Sequence, residues 1–119
     1  MAITYSTAAA QASATNTAGS TTTGSWIDIT ACITAVVLAK ITNGGTGPTV
    51  ACTCSIDLSP DNGSTVYAGA GGSFTAGTTS STTYTGAFDV TGNMYFRTVF
   101  SGNTAQSVTV QADVEKRTA

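Results

Sequence analysis

Three cysteines and six carboxylates are the side chains of this sequence that could support chemistry. The thiols belong to Cys32, Cys52 and Cys54. Histidine is absent, which excludes nucleophilic catalysis by a Ser–His or Cys–His pair, because the imidazole is the base that activates the hydroxyl or thiol. A zinc site is not predicted either, since one C-x-C pair and one distant cysteine do not have the spacing of zinc ligands.

The cysteines raise the question of a disulfide. Cys52 and Cys54 are two residues apart in an alternating segment, so they point to the same face with Cα atoms about 6.5–7 Å apart. That separation is poor for a mutual bond. A possible disulfide therefore joins Cys32 with Cys52 or Cys54, if the strand of Cys32 lies opposite. The alternative is three buried thiols that behave as small apolar side chains.

The carboxylates do not form an evident catalytic pair. Two converging carboxyl groups about 5–10 Å apart would be needed for glycoside hydrolysis, and nothing in the spacing favours that arrangement. Asp61-Asn62-Gly63 is typical of a turn, because the further oxygen ligands of a calcium loop are missing. Four acids fall at outward strand positions, where we expect them to be solvated: Asp28, Asp57, Asp89 and Asp113. We predict no catalytic residue, no cofactor and no enzymatic activity.

The composition favours a protein that packs against other proteins. Charged residues make up 8% of the chain and the net charge is −2, whereas a typical soluble domain is about 25% charged. Four basic residues cannot neutralise many phosphates, so nucleic acid is not an expected partner. A surface of Thr, Ser and Gly buries few ions when it meets another subunit. The alternative is a secreted β-rich domain with a solvated polar surface.

The first 25 residues contain two large apolar side chains, Ile3 and Tyr5, and no charge. Such a segment buries too little apolar surface to offset the entropy of ordering it. We therefore predict that residues 1–25 form an extended arm held by neighbouring subunits. No secretory signal is visible in the sequence, and the longest apolar stretch, at 35–39, is too short for a membrane span. The expected site of synthesis is the cytoplasm, with no membrane partner.

Beyond the arm, the sequence alternates between apolar and polar residues. The clearest example is 50–58, where Cys52, Cys54 and Ile56 share one face. About seven such segments follow one another, with turn residues between them, at 26–29, 33–41, 50–58, 66–68, 82–90, 94–100 and 107–115. This pattern is typical of an all-β antiparallel sandwich. We predict a sandwich domain over residues 26–119.

The aromatic residues divide between core and surface. Most of them fall at inward positions of the predicted strands. Phe74 interrupts a predicted Gly/Ser/Thr loop at 69–81, and we expect it to dock on a neighbouring subunit. With Ile3 and Tyr5 it completes the candidate assembly contacts. Tyr67 and Tyr95 are the expected surface aromatics, and together with the 69–81 loop they could form a sugar site.

The assembled pattern resembles the small virion structural proteins of tailed bacteriophages. The resemblance covers about residues 26–115 and rests on three segments: Trp26-Ile-Asp-Ile-Thr30, the Ile41–Cys52 segment with its Asn-Gly-Gly-Thr-Gly-Pro turn, and Ser59-Pro-Asp-Asn-Gly63. It extends to Tyr95-Phe-Arg-Thr-Val99 and the strand after Gly102. The resemblance implies an immunoglobulin-like or jelly-roll sandwich on the outer capsid surface. It also implies a homotrimer bound to the major capsid protein.

Three hypotheses for function follow. The first is a head decoration, or cement, protein that bridges neighbouring capsid subunits and stabilises the capsid. The second is a tail- or fibre-associated module that binds a carbohydrate or receptor through Tyr67, Tyr95 and the 69–81 loop. The third is a neck or tail connector subunit. A thiol left unpaired by an intrachain disulfide could also link subunits once the virion leaves the reducing cytosol.

Overall fold

Nine β-strands make up the secondary structure of residues 2–119, the part of the chain that the computed structural model describes. Their bounds are β1 Thr4–Asn16, β2 Thr22–Thr23, β3 Ile27–Asp28, β4 Cys32–Asn43, β5 Thr53–Ser59, β6 Tyr67–Thr75, β7 Thr83–Asp89, β8 Tyr95–Ser101 and β9 Val108–Thr118. Within this range no helix has the length and apolar character needed to cross a membrane.

The strands form two antiparallel sheets. Sheet A has the order β1-β9-β4-β7, and sheet B has the order β2-β8-β5-β6, with β3 also pairing β8. Each of the seven predicted strands overlaps one of β3 to β9. The predicted all-β sandwich is therefore confirmed, but with nine strands, because β1 and β2 come from the segment that we expected to be an arm.

The core lies between the sheets and follows the alternation of the sequence. On β9 the inward residues Val108 to Val114 alternate with outward polar residues, and β4 repeats the pattern. The largest buried side chains are Phe96, Phe100, Ile29, Ile41, Ile56 and Val37. Full burial of such a side chain contributes about 1.5–3 kcal/mol, and this core holds the two sheets face to face.

The prediction that residues 1–25 form an extended arm is wrong from Thr4 onward, because β1 and β2 belong to the sandwich. Strand β1 pairs along its length with β9 of the same chain, and β2 pairs with β8. Backbone hydrogen bonds hold this strand at the edge of the sheet. They do so without a large apolar face, so the composition of the segment did not reveal the strand. Ala10 and Asn16 are also buried. Removal of residues 1–25 would therefore take an edge strand from sheet A.

The predicted loop at 69–81 is also corrected, because most of it is strand β6, Tyr67–Thr75. Its glycines allow close approach to the inner face of the sandwich: a Cβ at Gly71 would collide with Ile56, and one at Gly72 with Phe88. A strand this rich in glycine has low β-propensity, which explains why the sequence pattern indicated a loop. Of the predicted loop, only residues 76–81 lie in the connection between β6 and β7.

Candidate functional site

Two buried asparagines fix the turn that follows β1. Asn16 Nδ2 donates to Asn103 Oδ1 at 2.6 Å, and Asn103 Nδ2 donates to the carbonyl of Asn16 at 3.1 Å. Thr22 Oγ1 donates to Asn16 Oδ1, and Asn103 Nδ2 also donates to the carbonyl of Gln106. Both amides are fully buried. The network joins the β1–β2 connection to the β8–β9 connection.

Further backbone hydrogen bonds join all four connections at this end of the sandwich, which lie at 17–21, 44–52, 76–82 and 102–107. Gly19 N donates to Asn103 O, and Thr49 N donates to Thr104 O. Ser81 N donates to Gly44 O at 2.8 Å. A Cβ at Gly47 would collide with the Thr78 carbonyl. We call these four connections the uncharged end, and they form one cross-linked surface.

No residue of the uncharged end carries a charge, and its residues are mainly Thr, Ser, Gly, Ala and Asn. The charged residue nearest to it along β4 is Lys40, three positions before Asn43. Its largest exposed apolar side chain is Val50, 54% exposed. Burial of this surface against another protein would remove no ion from water, which is the costly part of burying polar surface.

The opposite end of the sandwich carries an apolar groove of about 390 Å³, which we call the Tyr67 groove. Tyr67 and Met94 line it and are more than half exposed, and Leu58 and Pro60 complete its apolar wall. Tyr95 lies on β8, where it pairs with Ser59 of β5, and it does not line the groove. Because residues 76–82 lie at the uncharged end, the predicted sugar site of Tyr67, Tyr95 and the 69–81 loop is not brought together.

An ion pair lies on the outer face of sheet B. Arg97 Nε donates to Asp57 Oδ2 at 2.9 Å, and the Gly69 amide donates to Asp57 Oδ1 at 3.0 Å. Trp26 stacks on the guanidinium of Arg97, with its ring centroid 4.5 Å from Arg97 Cζ. Asp57 is only 5% exposed. The prediction that Asp57 is solvated is therefore wrong, because Arg97 and the Gly69 amide occupy its carboxylate oxygens.

The three thiols are free, and the structure contradicts the possible disulfide between Cys32 and Cys52 or Cys54. Cys32 begins β4, whereas Cys52 lies near the other end of β4, since Cys52 O accepts from Ala76 N and Gly77 O accepts from Asn43 Nδ2. A strand of this length spans about 36 Å, far beyond the reach of a disulfide. Burial raises the pKa of Cys52 to about 11 and that of Cys54 to about 12.

Of the three candidate assembly contacts, Phe74 lies elsewhere than expected. It packs against the core, with its ring centroid 6.0 Å from that of Phe88 and with Gly86 beneath it. Its position on β6 turns the side chain between the sheets, so it is not a docking residue. Ile3 and Tyr5 are exposed, Tyr5 by 70%, and their role in assembly stays a prediction.

Three other carboxylates, those of Asp28, Asp61 and Asp89, accept hydrogen bonds within turns. The Thr65 amide donates to Asp61 Oδ1 at 2.6 Å and lowers the pKa of Asp61 below its usual 3.8. The Thr30 amide does the same for the pKa of Asp28. Among residues 2–119, no group of three or more acids and cysteines is placed to hold a metal ion.

Sequence reasoning missed the two features that organise these surfaces. The Asn16–Asn103 pair has no local signal, because its members are 87 positions apart. Trp26 was assigned only to a short strand. The one available signal was that Asp57 and Arg97 carry opposite charges at outward positions of two predicted strands. Such charges attract each other when the two strands are neighbours.

No protein-family model and no curated protein matches this sequence. Solved structures do match its fold. The crystal structure of the SPBc2 prophage-derived protein YomS matches with a TM-score of 0.53 at 14% identity, over 97% of this chain and 96% of that chain.

Two other matches come from assemblies. The structure of infectious bursal disease virus, Gt strain, has a TM-score of 0.58 at 15% identity, over 98% of this chain and 33% of that chain. The subunit of Bacillus endospore appendages, described as a novel family of disulfide-linked pili, has a TM-score of 0.52 at 18% identity, over 98% and 88%. This chain thus spans about a third of the viral chain, and at these identities the likeness defines a shared β-sandwich fold.

Proposed function

We propose that this chain is a structural protein of a tailed-bacteriophage virion, which decorates the capsid and stabilises it by bridging neighbouring capsid subunits. The observation that carries the proposal is the uncharged end. Its four connections are cross-linked by main-chain hydrogen bonds and carry no ion. Such a surface is preorganised for burial against another protein, because little conformational freedom is lost and no charge is desolvated.

The fold likeness supports the same proposal. The matches above 0.5 in TM-score include a prophage-derived protein and a virus structure. In the proposal, the partners are the major capsid protein and further copies of this chain, which the resemblance to decoration proteins implies to be trimeric. The site of action is the outer capsid surface, and the role requires no catalysis. Many copies acting together would turn modest single contacts into strong reinforcement.

Two exposed valines at opposite ends of the sandwich provide a matched test. Val50 lies at the uncharged end and Val66 lies next to the Tyr67 groove. Purified protein is added to capsids that lack it, and occupancy is measured by gel densitometry and by image reconstruction. We expect Val50→Lys to lower the affinity about tenfold or more, because the new ammonium must be desolvated. Val66→Lys should bind like the wild type.

The same reconstruction locates the protein. Hundreds of copies on the outer shell would agree with decoration. Full occupancy by Val50→Lys, or loss of binding by Val66→Lys alone, would contradict the proposed surface. A few copies at the neck or tail would instead support the connector hypothesis and remove the decoration proposal.

The Tyr67 groove supports a second candidate function, a receptor- or carbohydrate-binding module. An exposed aromatic ring at the edge of an apolar groove is a surface on which a sugar ring can stack. A glycan array with the isolated protein tests this candidate, with Tyr67→Ala as the variant and Tyr5→Ala as the aromatic control. Reproducible binding lost only in Tyr67→Ala would favour it. Absence of binding would favour decoration.

A further inference from the structure

The first half of β1 is exposed on every side except the one that faces β9. All six residues from Thr4 to Ala9 are exposed. They include residues on the inner face of the strand, the face that is buried further along β1. The second half differs, because Ala10 and Asn16 are buried. β1 is also the edge of sheet A, so one row of its main-chain groups has no neighbouring strand.

The outward-facing groups can be assigned from hydrogen bonds elsewhere in sheet A. Asn43 N donates to Thr82 O, and Ala35 O accepts from Val90 N, so the odd-numbered residues of β4 face β7 and the even-numbered residues face β9. Leu38 pairs with Asp113, which turns the next residue of β9, Val114, toward β1 and its partner Ala8. By alternation, the N–H and C=O groups of Tyr5, Thr7 and Ala9 point away from β9.

This edge lacks most of the features that protect exposed strands from pairing. Edge strands are commonly shielded by charged side chains, proline or bulges. β1 contains no charge and no proline. Its bulges lie only beyond Ala9, between Ala9 and Gln11 and between Gln11 and Ala14. The regular part of the edge, Thr4–Ala9, is therefore free to accept another strand.

We propose that this edge pairs with the same edge of a second copy of the chain, antiparallel and about a two-fold axis at Thr7. Thr7 then faces Thr7 of the second copy, and Tyr5 faces Ala9 of the second copy. The three outward residues form about six main-chain hydrogen bonds. The two sheets become one continuous eight-stranded sheet, and the contact is isologous, so it closes at two copies.

The side chains on the outer face of sheet A suit this arrangement. Tyr5 pairs with Arg117, whose Cζ lies 4.9 Å from the ring centroid, and Ala9 pairs with Asp113. Across the two-fold axis, each row runs from Arg117 through Tyr5 and Ala9 to Asp113 of the second copy, so opposite charges end the row. The central row places Glu115 of the two copies three strand spacings apart, about 14 Å, where salt screens the repulsion.

The choice of a second copy rests on this self-complementarity. With no charge on β1 to select a partner of the opposite sign, the edge recognises only a flat, uncharged strand of matching alternation, and β1 itself is such a strand. The inference concerns the purified protein alone and does not depend on the capsid proposal, and its closed two-fold pair is an alternative to the trimer that the resemblance to decoration proteins implies. Its failure would leave the uncharged end as a capsid contact untouched.

Sedimentation velocity of the full chain over a concentration series tests the pairing. Thr7→Pro removes an outward N–H without removing a hydrogen bond to β9, and Thr7→Ala is the matched control that keeps the N–H. We expect wild type and Thr7→Ala to dimerise. Thr7→Pro should raise the dimer dissociation constant about tenfold or more. Thermal unfolding followed by circular dichroism verifies that each variant folds.

A charge swap tests the two-fold axis even if the proline variant does not fold. Thr7→Lys alone and Thr7→Glu alone place like charges opposite each other and should be monomeric, whereas an equimolar mixture should form a heterodimer. Wild-type protein that is monomeric at every concentration would overturn the proposal. So would a dimer or trimer that is insensitive to all three substitutions.

Discussion

Asn16 and Asn103, 87 positions apart, bind each other through their side chains in the interior of the sandwich, with Asn16 Nδ2 2.6 Å from Asn103 Oδ1. The pair ties the end of β1 to the β8–β9 connection and so joins the N-terminal strand to the rest of the uncharged end. Because both amides are fully buried, the bonds between them satisfy polar groups that water does not reach, and Ser20, Thr22 and Gln106 supply the other partners.

Asn103→Ala should lower the free energy of unfolding by about 2–3 kcal/mol, because it removes the acceptor of one buried Asn16 Nδ2 bond and the donor to the Asn16 carbonyl. Asn93→Ala is the control, since Asn93 Nδ2 makes a single bond, to the Val90 carbonyl. Urea unfolding followed by circular dichroism measures both. Equal losses in the two variants would show that the Asn16–Asn103 network is not a special determinant of stability.

The Asp57–Arg97 ion pair should show a measurable coupling in a double-mutant cycle of Asp57→Ala and Arg97→Ala. Asp57 is 5% exposed, but the Arg97 side chain is 27% exposed, so solvent screens part of the attraction and we expect a coupling of about 1–2 kcal/mol. Asp28 and Lys116 provide a control pair with a smaller expected coupling, because Asp28 is exposed and the charge of Lys116 is the smallest of the effects that lower its pKa. A zero coupling for Asp57 and Arg97 would mean that the contact of Trp26 with Arg97 does not strengthen the ion pair.

The thiols should react with a disulfide reagent in two phases at pH 8. Cys32 is half-buried and should react first. Cys54 has a pKa of about 12 because it is buried, so only about one part in 10⁴ is thiolate at pH 8. Cys52 and Cys54 should react only when urea unfolds the chain. Cys32→Ser should remove the fast phase, and three equally fast thiols would contradict the buried placement.

Asp61 should contribute to loss of stability in acid. The Thr65 amide lowers the folded-state pKa of Asp61 below 3.8, so its stabilisation is present above about pH 4 and is lost as the pH falls through the lowered pKa. The melting temperature of the wild type should therefore fall more steeply below pH 4 than that of Asp61→Asn. Ser64→Ala, in the same turn, keeps the carboxylate and should follow the wild type. Parallel curves for Asp61→Asn and the wild type would refute this role.

The sequence predicted the fold class and the core because the alternation of apolar residues at period two is a local signal. The inward positions Val108, Val110 and Val114 follow from it, and each is buried. The exposure of Ile3 and Tyr5 likewise agrees with a segment that has few apolar neighbours in sequence. Local pattern and burial coincide wherever a strand has one wet and one dry face.

The same signal failed where small residues form strands. β1 and β6 carry Ala, Thr, Ser and Gly in place of large apolar side chains, so we predicted an arm and a loop. Main-chain hydrogen bonds to β9 and β5 hold them, and those bonds depend on strands distant in sequence. Phe74 was misplaced for the same reason, since its burial follows from the pairing of β6.

The amino-acid sequence by itself determined that this protein is an all-β sandwich with little charge and without a histidine-dependent active site. Only the tertiary structure decided which uncharged residues share an end, that Asp57 meets Arg97 beneath Trp26, and that Cys32 lies far from Cys52. The physical reason is that alternation is set between neighbours along the chain, whereas sheet order and register arise from contacts between strands that are distant in sequence.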